Sequence, residues 1–580
     1  MMADLLKMDL DRKSWILFFL FLIPLGVIDV FAQKNVPFKY KVGIIGNPGN
    51  PDISYDDAQL KRMKGLGFNT LQLNIAWGSR PADEPLNLED ILTFEENMGN
   101  GKVKERFNKI KQRAIAAKKW GFRTIFHFGA PRVEALYKSV NIPEKIDATT
   151  DKNSVQRKEI LLKYQRLLVQ LHREIPEIDD ILVYTFDQEA WIGNEFGDGP
   201  IDRNIPLHKR LPQFLNALAS TWLQERPNGM FWWEPWELSA GQIYACLPEI
   251  NGKNIGFALH SNIAEVQLSR PVDVWLRNMA NLLEERKIPV IGEIFMASAN
   301  EEVEPLQHLS APRLVFEQME AMYGLKTLHG VKEYYGVLPG SYDPSMLMSS
   351  MKMINPQLSL ADGLKKLSAE YGAAAAQVSA AWEATAKSLQ LFPWDASWNL
   401  RRLPKRGLVF HKWDKLLIAG KVAASPSWKS TRRSLFMVTE NEELDPWFYE
   451  DLELRCQISA DEAMKAIAAY QLVLPMVAGN QQLTAYLMAT IKDHQVFEQS
   501  VRAIQCYCKE ANLAFLMRKY TAKNEPIPET LLQQFNQIML LDVKNQERSD
   551  HVPQGRVTAK KMLALFNENP KAWLEKYLLP

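Results

Sequence analysis

"ILVYTFDQEAW", residues 181–191, begins as an apolar run rich in β-branched and aromatic residues and ends on Asp187, Glu189 and Trp191. Such a run is a buried strand, and its position among similar runs decides the fold. Upstream lie "KVGIIG" (41–46), "FNTLQLNI" (68–75) and "FRTIFHFG" (122–129). Downstream lie "MFWWEP" (230–235), "IGFALHS" (255–261), "PVIGEIF" (289–295) and "TLHGVKEY" (327–334). Helix-period segments near 57–66, 104–120, 154–174, 207–226, 239–248, 272–287 and 308–323 fill the seven gaps. Eight strands separated by helices predict an α/β fold, a (β/α)8 TIM barrel, whose usual span is about 250 residues plus loops. The rival, an open doubly wound sheet, needs a Gly-rich phosphate loop after its first strand, and "GNPGNP" has neither GxGxxG nor GxxxxGK[ST] spacing.

After residue 340 the text turns Ala-, Leu- and Gln-rich. "SAEYGAAAAQVSAAWEATAKSLQLF" (368–392) and "SADEAMKAIAAYQLVL" (459–474) read as helices, the second opened by a Ser459–Glu462 capping box. Residues 400–440 read as a basic, irregular, solvated connection. The expected organisation is therefore a leader over 1–32, a barrel over 33–340 and an all-α C-terminal domain over 341–580. The leader rests on Arg12 and Lys13 before the apolar run Trp15–Ile28, with Val30 and Ala32 in the small-residue pattern of a signal peptidase site. The run is shorter than the roughly 20 residues a bilayer core needs, so the expectation is a secreted or periplasmic protein. Retention of the segment as an anchor is the alternative.

The chain has 580 residues, 47% apolar and 24% charged, which suffices for two cored domains. A net charge of +1 supplies no basic field for a nucleic-acid partner. The four cysteines lack CxxC spacing, so buried thiols or at most one bridge are expected.

The C-terminal ends of barrel strands face the active site. Trp77 and Arg80 follow the second strand, His127 lies on the third and Arg132 beyond it, and Asp187, Glu189 and Trp191 end the fourth. The fifth carries Trp233, Glu234 and then Trp236; the sixth ends in His260 with Glu265 in its loop; the seventh carries Glu293; the eighth carries Lys332, Glu333 and Tyr334. Taken singly, a strand-end acid is a wet terminus or a helix cap. Taken together, carboxylates and indoles at one rim suit sugars, whose hydroxyls accept acid contacts and whose C–H faces stack on rings. Glycosidic cleavage needs two carboxyl groups, one protonated and one ionised. Asp187 and Glu189 share a parity, so both point inward if the strand runs that far, and a neighbouring charge would raise the Glu189 pKa.

A barrel metallohydrolase would carry an HxH pair on its first strand, and that strand has no histidine; no metal and no cofactor are expected. A serine hydrolase would need a GxSxG elbow, absent from the barrel text.

Barrel, rim acids and trailing helices together resemble the α-glucuronidase-type glycoside hydrolases. The resemblance implies Glu189 in "FDQEAW" as general acid, Glu265 in "HSNIAEVQLSRP" as an acid after the sixth strand, and Glu293 with Glu301 or Glu302 in "GEIFMASANEE" near the seventh. The chain also resembles the retaining barrel glycosidases, which implies Glu189 as acid/base and Glu293 as nucleophile. The resulting expectation is a secreted glycoside hydrolase of oligo- or polysaccharide, with Glu189 as acid, Glu293 as its first partner, and Asp187, Glu265 and Glu333 in reserve. Trp77, Trp191, Trp233 and Trp236 would hold sugar rings, with Glu234, His127, His260 and Tyr334 beside them. Arg80, Arg132 and Lys332 would receive a uronic carboxylate. The competing reading is a noncatalytic glycan-binding or scaffold protein on a barrel.

Overall fold

The computed structural model describes residues 38–46, 53–75, 83–92, 101–129, 154–184, 204–235, 238, 240–251, 255–260, 272, 274–297, 309–334, 336–337, 342–393, 446–547 and 559–577. The leader and the 400–440 connection lie outside them. Among the described residues no helix is long and apolar enough to cross a membrane.

Eight parallel strands close on themselves in chain order: β1 (Tyr40–Ile44), β2 (Thr70–Gln72), β3 (Arg123–Gly129), β4 (Asp180–Tyr184), β5 (Phe231–Glu234), β6 (Ile255–Leu259), β7 (Val290–Ile294) and β8 (Leu328–Glu333). The last pairs with the first, Val42 opposite Lys332. The connecting helices are α1 (Asp57–Gly65), α2 (Gly101–Lys119), α3 (Lys158–Glu174), α4 (Leu207–Glu225), α5 (Ala240–Cys246), α6 (Val274–Glu285) and α7 (Pro312–Tyr323). This is the (β/α)8 barrel that the strand count predicts. β2 is shorter than its apolar run because the Asn74 side chain takes over from the backbone. Its amide donates to the His127 and Pro85 carbonyls at 2.8 and 3.0 Å and accepts from the His127 N–H at 3.1 Å.

The barrel interior is layered. At the N-terminal end the Arg123 guanidinium grips the Asp180 carboxylate through two bonds of 2.6 and 2.5 Å, and Met230 N–H adds a third at 2.7 Å. Above it Tyr40, Val42, Ile125, Leu182, Trp232, Ala258 and Ile291 form an apolar belt. Trp232 meets Tyr40 edge-on at 5.0 Å and lies across Gly256, where an added Cβ would fall 2.2 Å from the indole. Gly256→Ala should therefore overpack the belt and cost about 1–3 kcal/mol. Urea unfolding would register this as a lower midpoint at unchanged slope; an unchanged midpoint would mean that the indole can move aside.

Beyond β8 come α8 (Pro344–Ile354), α9 (Leu360–Ser368), α10 (Ala375–Leu391), α11 (Pro446–Val473), α12 (Gln481–Ala522), α13 (Glu529–Glu547), α14 (Ala559–Glu568) and α15 (Pro570–Tyr577). Their buried residues share one apolar cluster with Leu314, Val315 and Phe316 of α7, so the helical region is anchored on the barrel's seventh helix. Arg313 of α7 reinforces this anchor, bonding Glu383 and Gln390 of α10 at 2.8 and 2.9 Å. The capping-box expectation is corrected here, because α11 runs unbroken through Ser459. The Ser459 hydroxyl instead donates to the Ser388 carbonyl at 2.8 Å, and the Ser388 hydroxyl to the Ser459 carbonyl at 2.6 Å. This reciprocal pair locks α10 to α11.

His494 of α12 sits in the middle of this region. Its Nδ1–H donates to the Thr490 carbonyl at 2.8 Å, Nε2 is 2.8 Å from the Thr385 hydroxyl, and the ring meets Tyr470 at 5.2 Å. Burial lowers its pKa to about 4. An unfolded histidine titrates near 6.5, so acid favours the unfolded chain. The neutral ring's contribution is complete above about pH 6.5 and is lost as pH falls toward 4, about 3 kcal/mol in all. Urea unfolding across this window should show that slope in the native chain and a shallower one in His494→Gln; equal slopes would remove His494 as its source.

Candidate active site at the mouth of the barrel

Inward positions follow from the apolar belt: even numbers on β4, β5, β6 and β8, and odd numbers on β3 and β7. One layer above the belt, toward the C-terminal ends, this alternation delivers His127 (β3), Tyr184 (β4), Glu234 (β5), His260 after β6, Glu293 (β7) and Lys332 (β8). An apolar belt is thus capped by titratable groups, the arrangement expected of an active end.

Glu234, His260 and Glu293 are buried, and one ligand atom from each lies within 4.8 Å of the others. Glu293 and Lys332 are register partners on adjacent strands. The Lys332 ammonium donates to Glu293 Oε1 at 2.6 Å, with the side chains 1% and 0% exposed. Removal of the two charges from water is tolerable because they face each other. Glu234 Oε2 is 3.5 Å from His127 Nε2. Burial first, and then the Lys332 charge, holds the His127 pKa well below its ordinary value, so the imidazole is neutral. Its ring meets Tyr184 edge-on at 4.8 Å. On the far side His260 meets Tyr334 at 5.5 Å, and Tyr334 packs on Phe295 at 4.8 Å.

Two carboxylates and an imidazole could hold a divalent cation. The ammonium of Lys332 already occupies Glu293 Oε1, and a second cation there would meet its repulsion. The donor set therefore suits a pair of working carboxyl groups better than a resident metal.

Of the sequence candidates, His127, Glu234, His260, Glu293, Lys332 and Tyr334 come together. Lys332, expected to receive a substrate carboxylate, has its ammonium engaged with Glu293. Trp233 is also corrected: it has the outward parity of β5 and is wholly buried against Phe257 at 4.9 Å, away from any sugar. Glu333 likewise points outward, accepting from Met296 and Gly336 N–H at 2.8 and 3.1 Å and tying the turns after β7 and β8 together. Trp77, Arg80, Arg132, Asp187, Glu189, Trp191, Trp236 and Glu265 lie outside the described residues. Sequence reasoning passed over Tyr184 and Asn74. Tyr184 was within reach, being an inward residue of the very run that placed β4.

No family model matches the sequence, and no curated protein matches it. Among solved structures, a GH138 enzyme targeting pectin rhamnogalacturonan II is similar over 93% of this chain and 83% of its own, at 13% identity and TM-score 0.55. That likeness extends past the barrel into the helices and is one of fold. The Pseudomonas stutzeri endoglucanase Cel5A (11% identity, TM-score 0.34) covers 55% of this chain and 95% of its own. The Rhizomucor miehei endo-1,4-β-mannanase (12%, TM-score 0.34) covers 56% and 96%.

Proposed function

We propose that the chain is a glycoside hydrolase that cleaves with retention, using Glu293 as nucleophile and Glu234 as general acid. One observation carries this reading: one oxygen of each of two buried carboxyl groups lies within 4.8 Å of the other at the mouth, in different environments. Retaining enzymes hold their carboxyl groups about 5–5.5 Å apart, inverting ones about 6.5–9.5 Å. Lys332 holds and aims the Glu293 carboxylate, as attack on an anomeric carbon requires. Glu234 faces the neutral His127 imidazole, and in this reading it delivers the proton to the leaving oxygen. In the first step the Glu293 oxygen bonds the anomeric carbon, the glycosidic C–O bond breaks, and Glu234 delivers its proton to the departing oxygen. In the second, water attacks the glycosyl ester while Glu234 takes back a proton, and Glu293 is released. His260, held against Tyr334, would grip a substrate hydroxyl in this reading.

Glu189 is the rival acid, on its place after β4. A uronic acid-bearing substrate of the α-glucuronidase kind is the finer reading, with Arg80 and Arg132 as receivers of its carboxylate, and export through residues 1–32 belongs to the same proposal.

The experiment is hydrolysis of oligosaccharides and aryl glycosides, aryl uronides and pectin included, with the product anomer followed by proton NMR. Glu234→Gln should lose cleavage of poor leaving groups by about 10²–10⁴-fold and keep that of dinitrophenyl glycosides, which need no proton. The same pattern in Glu189→Gln, with Glu234→Gln unaffected, would move the acid to Glu189. Glycan binding without turnover by the native chain would favour the noncatalytic reading.

A further inference from the structure

The helical region carries a feature that the barrel chemistry does not use. Cys456 on α11 and Cys508 on α12 are both fully buried in the same apolar cluster. The two helices run antiparallel in a register fixed by three polar pairs. Arg502 meets Asp461 at 2.6 Å, Gln505 meets Gln457 at 2.8 Å, and Lys509 meets Glu453 at 2.8 Å. In each pair one helix descends as the other climbs, and the same progression sets Cys456 opposite Cys508. Cys456 lies close enough to the Cys508 thiol to raise its pKa.

We propose that Cys456 and Cys508 are a disulfide-forming pair that staples α11 to α12 when the chain folds in oxidising surroundings. Two buried thiols at one level of facing helices meet the first requirement of a bridge, which is side chains placed opposite each other across a short backbone gap. Cys506, two residues away, faces elsewhere: Asn545 of α13 donates to its sulfur at 3.4 Å. Cys246 lies in α5, in the barrel. The co-reactant is a small disulfide such as oxidised glutathione. A Cys456–Cys508 bond forms, both S–H bonds break, and their two protons and two electrons reduce the incoming disulfide to two thiols. The nearness of Cys456, together with burial, raises the Cys508 pKa well above its ordinary value. The folded, reduced pair is therefore a poor nucleophile, and the bond forms while the helices are assembling.

The full chain would be refolded from denaturant with oxidised glutathione, and in parallel with dithiothreitol. It would then be unfolded again, treated with N-ethylmaleimide and weighed. The dithiothreitol sample should carry four adducts and the glutathione sample two. Digestion with trypsin and chymotrypsin separates Cys506 from Cys508 at Tyr507, and a linked peptide pair containing Cys456 and Cys508 should appear, vanishing in Cys508→Ser. The oxidised protein should melt on the order of 5 °C higher. Four adducts after oxidative refolding, or a linked pair containing Cys506 or Cys246, would overturn the proposal.

Discussion

Glu293→Gln is expected to lower kcat by at least about 10³-fold while leaving glycan binding within a small factor of the native chain. The amide has the shape of the carboxylate and still offers an oxygen to the Lys332 ammonium, so the mouth keeps its geometry. It has lost the charge that attacks. The more informative companion is Glu293→Ala with added azide, which enters the space left by the side chain. The product should be a glycosyl azide of the opposite anomeric configuration to the substrate, formed at a rate well above that of the variant alone. An azide product of that inverted configuration is the signature of a missing nucleophile and would not come from a merely destabilised protein. Native turnover in Glu293→Gln would remove this residue from the reaction.

Lys332→Met should be the most destabilising single change at the mouth. The ammonium and carboxylate are sealed from water at 2.6 Å, and removal of one partner strands the other, typically at about 3–5 kcal/mol. Lys332 also aims its neighbour, so the variant should lose turnover as well as stability. The double variant Glu293→Gln, Lys332→Met should recover most of the stability, because a neutral pair leaves no buried charge uncompensated. Urea unfolding of the two singles and the double closes this cycle. Loss in the lysine variant no larger than at an exposed ion pair, below about 1 kcal/mol, would mean that water reaches the pair.

The barrel was legible in the sequence because each strand is a short apolar run in register with turn signals, and the register is the same physics that buries the belt. The site was legible by position and less so by role. Glu293, Glu234, His127 and His260 were all found at strand ends, yet a list of strand-end residues does not say which side of the wall each faces. Trp233 and Glu333 sit one residue from inward neighbours, Glu234 and Lys332, and that single step turns them toward the helices. Lys332 was read as a receiver of substrate charge because a lysine in a sequence has no visible partner; its partner is 39 residues away, on the neighbouring strand. The Ser459–Glu462 spacing satisfied a capping rule that tertiary packing overrode, since Ser388 offered the hydroxyl a better bond than a helix start would.

The seventh helix is packed from behind by α8, α9 and α10, and its inner face reaches the strand that carries Glu293. Gln318 of α7 bonds the Phe295 backbone through both ends of its amide, at 2.9 and 3.0 Å, two residues beyond Glu293. In mechanical terms the trailing helices are a buttress, and the stave they load is the one that carries Glu293, the proposed nucleophile. Trimming the chain ahead of α8 would then loosen one stave of eight. The damage should show as a slackened aim at one carboxylate before it shows as a collapsed barrel.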